Sequence, residues 1–269
     1  RVLASADPDL VRPVEKYVKK KFGSLRTEAK LLSAKKTGDG YEVEIEHGGK
    51  TVTETYDRIL VSIGRVPNTD NIDLENTDIK KLDNGLIDVD AEMRTSVPGV
   101  FAIGDVVPGS ALAHKASREG KIAAEIIAGH PAAFDNRSIP AVVFTHPEIA
   151  WTGLTEEEAK QQGYEIKVGK FPLTALGRAR TMGQTDGLTK VIADATNDLV
   201  LGVGIVGPHA SDMIAEGALA LEMGATLEDL AATIHPHPTL SESLMEAAEV
   251  ALGMPIHTAP PRKPKAAKA

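Results

Sequence analysis

From Asp9 to Phe22 the apolar residues Leu10, Val14, Tyr17, Val18 and Phe22 recur at spacings of three and four, which predicts a helix with one buried face. Pro8 ahead of it and Gly23 behind it suit its two ends. Three segments follow, Glu28 to Lys36, Tyr41 to Glu46 and Thr51 to Thr55, separated by Thr37-Gly38-Asp39-Gly40 and His47-Gly48-Gly49-Lys50. Short strand-like runs around glycine turns predict an antiparallel meander. Ile59-Leu60-Val61-Ser62-Ile63 is continuously apolar apart from one serine and ends at Gly64, the pattern of a buried parallel strand. A second strand with a sharp turn is expected at Val100-Phe101-Ala102-Ile103-Gly104-Asp105, and a helix from Ala113 to Ala128, stopped by Gly129, His130 and Pro131.

Composition shifts near Ser138-Ile139-Pro140. Beyond it the pattern predicts strands at Ala141 to Phe144, Glu165 to Phe171, Leu188 to Ala193 and Leu199 to Val206. Helices are expected after the capping box Thr155-Glu156-Glu157-Glu158 and at Ser211 to Met223, Leu227 to Ala231 and Ser241 to Leu252, which makes this stretch an α+β domain. From Ala259 the chain reads Ala-Pro-Pro-Arg-Lys-Pro-Lys-Ala-Ala-Lys-Ala, with no apolar periodicity, and is expected to be disordered.

The 269 residues are 42% hydrophobic and carry a formal net charge of −8, a globular composition whose sign disfavours nucleic acid as a partner. No apolar run approaches the roughly 20 residues of a membrane span and no leader pattern opens the sequence, so a cytoplasmic protein is expected. The first residue is Arg1 and the first methionine Met93, so a fragment of a longer sequence is expected. There is no cysteine, so thiolate nucleophiles, redox dithiols and Cys-bound zinc do not come from these residues.

Three places could carry chemistry. Asp105 closes an apolar run through a glycine, where a carboxylate can accept hydrogen bonds from the hydroxyls of a ligand lying beyond a strand end; the same tetrapeptide also makes ordinary turns. Gly64 ends the other apolar run and would let a ligand approach the backbone, or simply turn the chain. The densest polar motif is His235-Pro236-His237-Pro238-Thr239-Leu240-Ser241-Glu242. Thr239 or Ser241 could cap the helix behind it, and Glu242 in its first turn could fold back onto a nitrogen of His237, fixing the tautomer and leaving the other nitrogen to exchange a proton. Three alternatives stay open: Glu242 as a helix-dipole partner, His237 as a surface histidine, and His235 with His237 as a metal pair, the last short of the usual three or four ligands.

Taken in order, Asp57 to Thr69, Val100 to Asp105, Leu112-Ala113-His114-Lys115-Ala116 and His235 to Glu242 resemble the pyridine nucleotide-disulfide oxidoreductase family, and within it the branch that oxidises dihydrolipoyl groups of 2-oxo acid dehydrogenase complexes with NAD. The resemblance implies the α/β part of a FAD/NAD-linked reductase with partial dinucleotide-binding domains, followed by an α+β interface or dimerisation domain. Residues 1–65 would be the later half of an NAD domain, 66–138 a central FAD-contacting segment, 139–256 the interface domain and 257–269 a disordered tail. It further implies FAD contacts at Asp105 (ribityl chain) and Ala113 (backbone), an NAD approach at Gly64, and an acid/base dyad of His237 and Glu242. The expected partners are a second copy of the chain, lipoyl domains, and a missing N-terminal half or companion chain. The family's glycine-rich FAD motif, its cysteine pair and the G-x-G-x-x-G loop of the NAD domain are absent from these residues, so the isolated chain is expected to be inactive. A non-catalytic dimerisation module, or part of a glutathione or mercuric reductase type enzyme, are the alternatives.

Overall fold

Asp7 starts the first helix by accepting the backbone N–H of Asp9 on its side chain at 2.9 Å, and Pro8 occupies the first helical turn, where a missing N–H costs nothing. The computed structural model describes residues 1–259, and in it this helix, α1 (Pro8–Lys21), buries Leu10, Val11 and Val14. Next comes the expected meander, β1 (Lys30–Thr37), β2 (Gly40–His47) and β3 (Lys50–Tyr56), antiparallel in sequence order.

The domain boundaries differ from the expected ones. The chain forms two compact units, one of residues 1–57 together with those from 137 on, the other Arg58–Asn136. The N-terminal segment is therefore not separate from the C-terminal one: Leu10 and Val14 pack with Ile149 and Val206. The expected strand at Ile59 to Ile63 is also absent. Leu60 and Ile63 are each 94% exposed, and no strand beside them among the described residues offers the backbone bonds that would make this run a sheet member.

In the smaller unit, Phe101 makes a single bridge to Arg94 in place of a full strand, and the chain then turns through a 3-10 segment, Gly104–Val106. Helix α2 (Ala113–Ile127) follows, as its pattern predicts.

The larger unit is built on a five-stranded antiparallel sheet, β4 (Ala141–Val143), β5 (Glu148–Gly153), β6 (Ile166–Pro172), β7 (Leu188–Asp194) and β8 (Val200–Gly207), in the order β4-β5-β8-β7-β6. The capping box at Thr155 opens α3 (Glu156–Gln161) as expected, while β5 and the short α4 (Gly177–Thr181) are additions to the sequence reading. Helices α5 (Ala210–Met223), α6 (Leu227–Ala232) and α7 (Glu242–Leu252) cover the sheet, and Phe171, Val191, Val203, Ile205, Ile214, Leu221 and Leu244 fill the space between. α7 lies so close to β6 that a Cβ on Gly169 would stand 1.8 Å from the Ala247 carbonyl oxygen. Of the tail expected from residue 257, His257 hydrogen-bonds Glu246 through Nδ1, and residues 260–269 lie outside the described residues.

Candidate functional site

The segment between α6 and α7 brings His237 and Glu242 together. Glu242 opens α7, and its two oxygens divide the work: Oε1 lies 2.8 Å from His237 Nδ1, and Oε2 accepts the backbone N–H of Thr239 at 2.7 Å. The carboxylate thus closes the turn ahead of α7, a task the sequence reading gave to the hydroxyls of Thr239 or Ser241; Ser241 caps nothing and the Thr239 hydroxyl donates to the Pro236 carbonyl at 2.7 Å. Glu242 is largely buried, whereas the His237 side chain is 77% exposed. A Cβ on Gly177 would stand 3.9 Å from His237 Cε1, so the start of α4 borders the ring. With Nδ1 turned to a carboxylate, a neutral ring carries its proton there and presents Nε2, able to take up a proton from a neighbouring group.

His235 is held quite differently. Its side chain is 5% exposed, Nδ1 lies 2.9 Å from the Thr233 carbonyl and Nε2 2.7 Å from Glu216 Oε1. Both nitrogens are occupied, which leaves none for the metal pair considered from sequence, and among the described residues no group of three or more His, Cys, Asp or Glu is placed to hold a metal ion. Glu216 was not singled out from sequence, since it lies 19 residues from His235 on another helix.

In the smaller unit Asp105 sits exposed on the 3-10 turn. Gly104 adopts φ +78°, a left-handed conformation that favours glycine, and its N–H donates to Glu119 Oε2 at 2.7 Å. Glu119 is buried on α2 with Lys115, whose Nζ lies 2.6 Å from Glu119 Oε1. Their spacing of four along a helix was visible in the sequence, but nothing there linked the pair to Gly104. Arg65 Nη1 lies 3.2 Å from Asp105 Oδ2 and donates to the Ala111 carbonyl at 3.2 Å. Arg65, Asn68, Leu86, Asp105, Val107 and Ala111 line a cleft of about 530 Å³. Ala113 begins α2 two residues on, and the N-cap residue Leu112 makes no side-chain cap bond there. Gly64 is in the left-handed region at φ +136°, with nothing within 4 Å of where a Cβ would stand. The structure thus brings together Asp105 and the approach to Ala113 in one unit, and His237 and Glu242 in the other.

A family model described as pyridine nucleotide-disulphide oxidoreductase matches residues 1–120, and one described as the dimerisation domain of the same family matches residues 139–248. Dihydrolipoyl dehydrogenase of Geobacillus stearothermophilus is 51% identical over 256 residues, 95% of this chain and 54% of that protein. The enzyme of the same name from Thermus scotoductus is 50% identical, over 95% of this chain and 56% of that protein. Among solved structures, LpdA of Mycobacterium tuberculosis superposes with a TM-score of 0.82 at 31% identity, covering 90% of this chain and 52% of that one. The HOCl-induced flavoprotein disulfide reductase RclA of Escherichia coli gives 0.83 at 25% identity, covering 92% of this chain and 56% of that one. The chain spans about half the length of the curated relatives it matches. Two models of one family, the second beginning at the composition shift near Ser138, together with relatives at half identity over nearly the whole sequence, leave one conclusion: the chain belongs to the pyridine nucleotide-disulphide oxidoreductase family.

Proposed function

We propose that this chain supplies the proton-exchanging pair and part of the flavin contacts of a dihydrolipoyl dehydrogenase, an oxidoreductase that takes two electrons from dihydrolipoyl groups and passes them to NAD. The observation that carries the reading is the 2.8 Å contact of His237 Nδ1 with Glu242 Oε1, which leaves Nε2 of an exposed ring open to a thiol. Nε2 receives the thiol proton, and the Glu242 carboxylate orients the ring and balances the charge it gains.

The smaller unit suits a ligand with hydroxyls and an anionic part. Asp105 offers a carboxylate to hydroxyls on a cleft wall, and the positive end of the α2 dipole at Ala113 suits an anionic part. These fit the ribityl region of FAD, which when bound supplies the electron relay between dithiol and NAD. Gly64, bare and exposed, suits a backbone approach by NAD. The sequence holds no cysteine, so the disulfide exchange of this reaction is not carried by its own residues. The match to a dimerisation domain supports a homodimer in which the dyad of one subunit serves the other, with lipoyl domains as substrate carriers.

The test joins this chain to the corresponding N-terminal half of the Geobacillus stearothermophilus relative and assays NAD-dependent oxidation of dihydrolipoamide. His237→Gln is expected to lower the rate by about 10²–10⁴-fold, and Glu242→Gln by less, because the glutamate acts through the ring. A His237→Gln enzyme within threefold of the parent overturns the reading. Oxidised glutathione as the preferred substrate would instead place the chain with the glutathione reductases.

A further inference from the structure

We propose that His235 and Glu216 form a buried positioning pair that fixes where His237 stands. The proposal deepens the reading of His237 and Glu242 as a proton-exchanging pair and rests on it.

His237 lies in the connection between Ala232, the end of α6, and Glu242, the start of α7. An exposed ring touching Glu242 by one nitrogen cannot locate its own backbone, so the flanking residues must. On the downstream side the Thr239 N–H and hydroxyl are bonded, to Glu242 Oε2 and the Pro236 carbonyl, each at 2.7 Å. On the upstream side the anchor is His235. A carbonyl oxygen only accepts, so the 2.9 Å contact with Thr233 requires a proton on His235 Nδ1. At 2.7 Å the contact of Nε2 with Glu216 Oε1 requires a second proton between those atoms. With acceptors at both nitrogens the ring has one orientation, and burial removes the water that could replace either acceptor.

Glu216 in turn belongs to α5, whose neighbouring Ile214 and Gly217 are packed into the core, Gly217 so tightly that a Cβ would stand 2.9 Å from Val203 Cβ on β8. The pair therefore refers the His237 loop to the sheet through α5, as Glu242 refers it through α7. His235 touches no reacting group in this scheme. It acts on proton exchange only through the position of His237.

The experiment uses the whole 269-residue chain. Long-range proton–nitrogen NMR of the imidazole rings at near-neutral pH reads the tautomer of His237, assigned with His237→Gln. In the parent, Nδ1–H dominates because Glu242 accepts it. Glu216→Ala is expected to lower the ratio of Nδ1–H to Nε2–H in His237 by about three- to tenfold, the worth of one hydrogen bond made only part of the time. Glu216→Gln, whose amide can still donate to Nε2, is expected to keep the parent ratio. A folded Glu216→Ala chain with the ratio unchanged overturns the proposal. Should that variant fail to fold, His235→Asn, whose amide reaches Thr233 but not Glu216, is judged by the same criterion. Glu242→Ala separates the two claims: if it leaves His237 unchanged, the dyad reading falls, and Glu216→Ala still decides whether the loop is anchored.

Discussion

Lys190 is 1% exposed and carries an ammonium group, which no apolar environment tolerates without partners. Asp7 at 2.6 Å, Asp9 at 2.9 Å and Glu156 at 2.5 Å surround it, and Lys170 joins Asp9 and Glu156 at 2.6 and 3.1 Å. Burial pushes the Asp9 and Glu156 carboxyls up, but hydrogen bonds from the two lysines outweigh it and hold both at about 2. A depressed carboxyl stabilises the fold above its unfolded value near 4, and that contribution is lost as pH falls through the folded value. Urea midpoints are therefore expected to hold from pH 7 to about 5 and to drop steeply between about 4 and 2. Lys190→Met, which strands the buried Asp7 carboxylate and leaves Asp9 and Glu156 to share Lys170, is expected to lose about 3–5 kcal/mol at neutral pH and to flatten that drop; a variant as acid-sensitive as the parent would remove the network from the explanation. None of this was legible in the sequence, because Asp7 and Lys190 are 183 positions apart. Glu242 beside His237 was legible, since their partnership spans only five residues and a helix start.

At the scale of elements, local pattern succeeded where an element carries its own reason to form. α1, the meander, α2 and α3 have caps or two-residue turns inside their own segments, and each appears near its expected bounds. Ile59 to Ile63 failed because a strand is made by its neighbour, and apolar character alone does not supply one. β5 was missed for a related reason: Ile149 packs with α1 on one face and Ala150 with the α5 cluster on the other, so residues on both faces are shielded and no clean alternation marks it. Packing of α7 on β6 depends on a single missing side chain. Gly169→Ala is expected to destabilise the chain by about 3 kcal/mol or more in urea unfolding, because the new Cβ would meet helix backbone that cannot rotate away. Gly23→Ala, with open space around it, is the control and should stay within about 0.5 kcal/mol.

The molecule as a whole offers apolar surface of a kind that a match to a dimerisation domain leads one to expect. Leu219 and Met223 stand exposed one turn apart on α5, and no helix among the described residues is long and apolar enough to direct such surface into a membrane. Sedimentation is expected to show a dimer at micromolar concentration, and the double change Leu219→Lys, Met223→Lys to raise its dissociation constant at least about tenfold. A parent that sediments as a monomer throughout that range would refute it. What the sequence could not disclose at this scale is the order of assembly. The shift near Ser138 is a local signal, whereas the larger unit is closed by residues 1–57 meeting residues that follow an interval of 79. During synthesis at about 5–20 residues per second, the carboxylates of Asp7 and Asp9 emerge about 10–40 s before the lysine that neutralises them, 183 positions later. Throughout that interval Leu10, Val11 and Val14 have no sheet to cover, and the nascent chain must keep these apolar side chains out of every other contact until their own foundation has been translated.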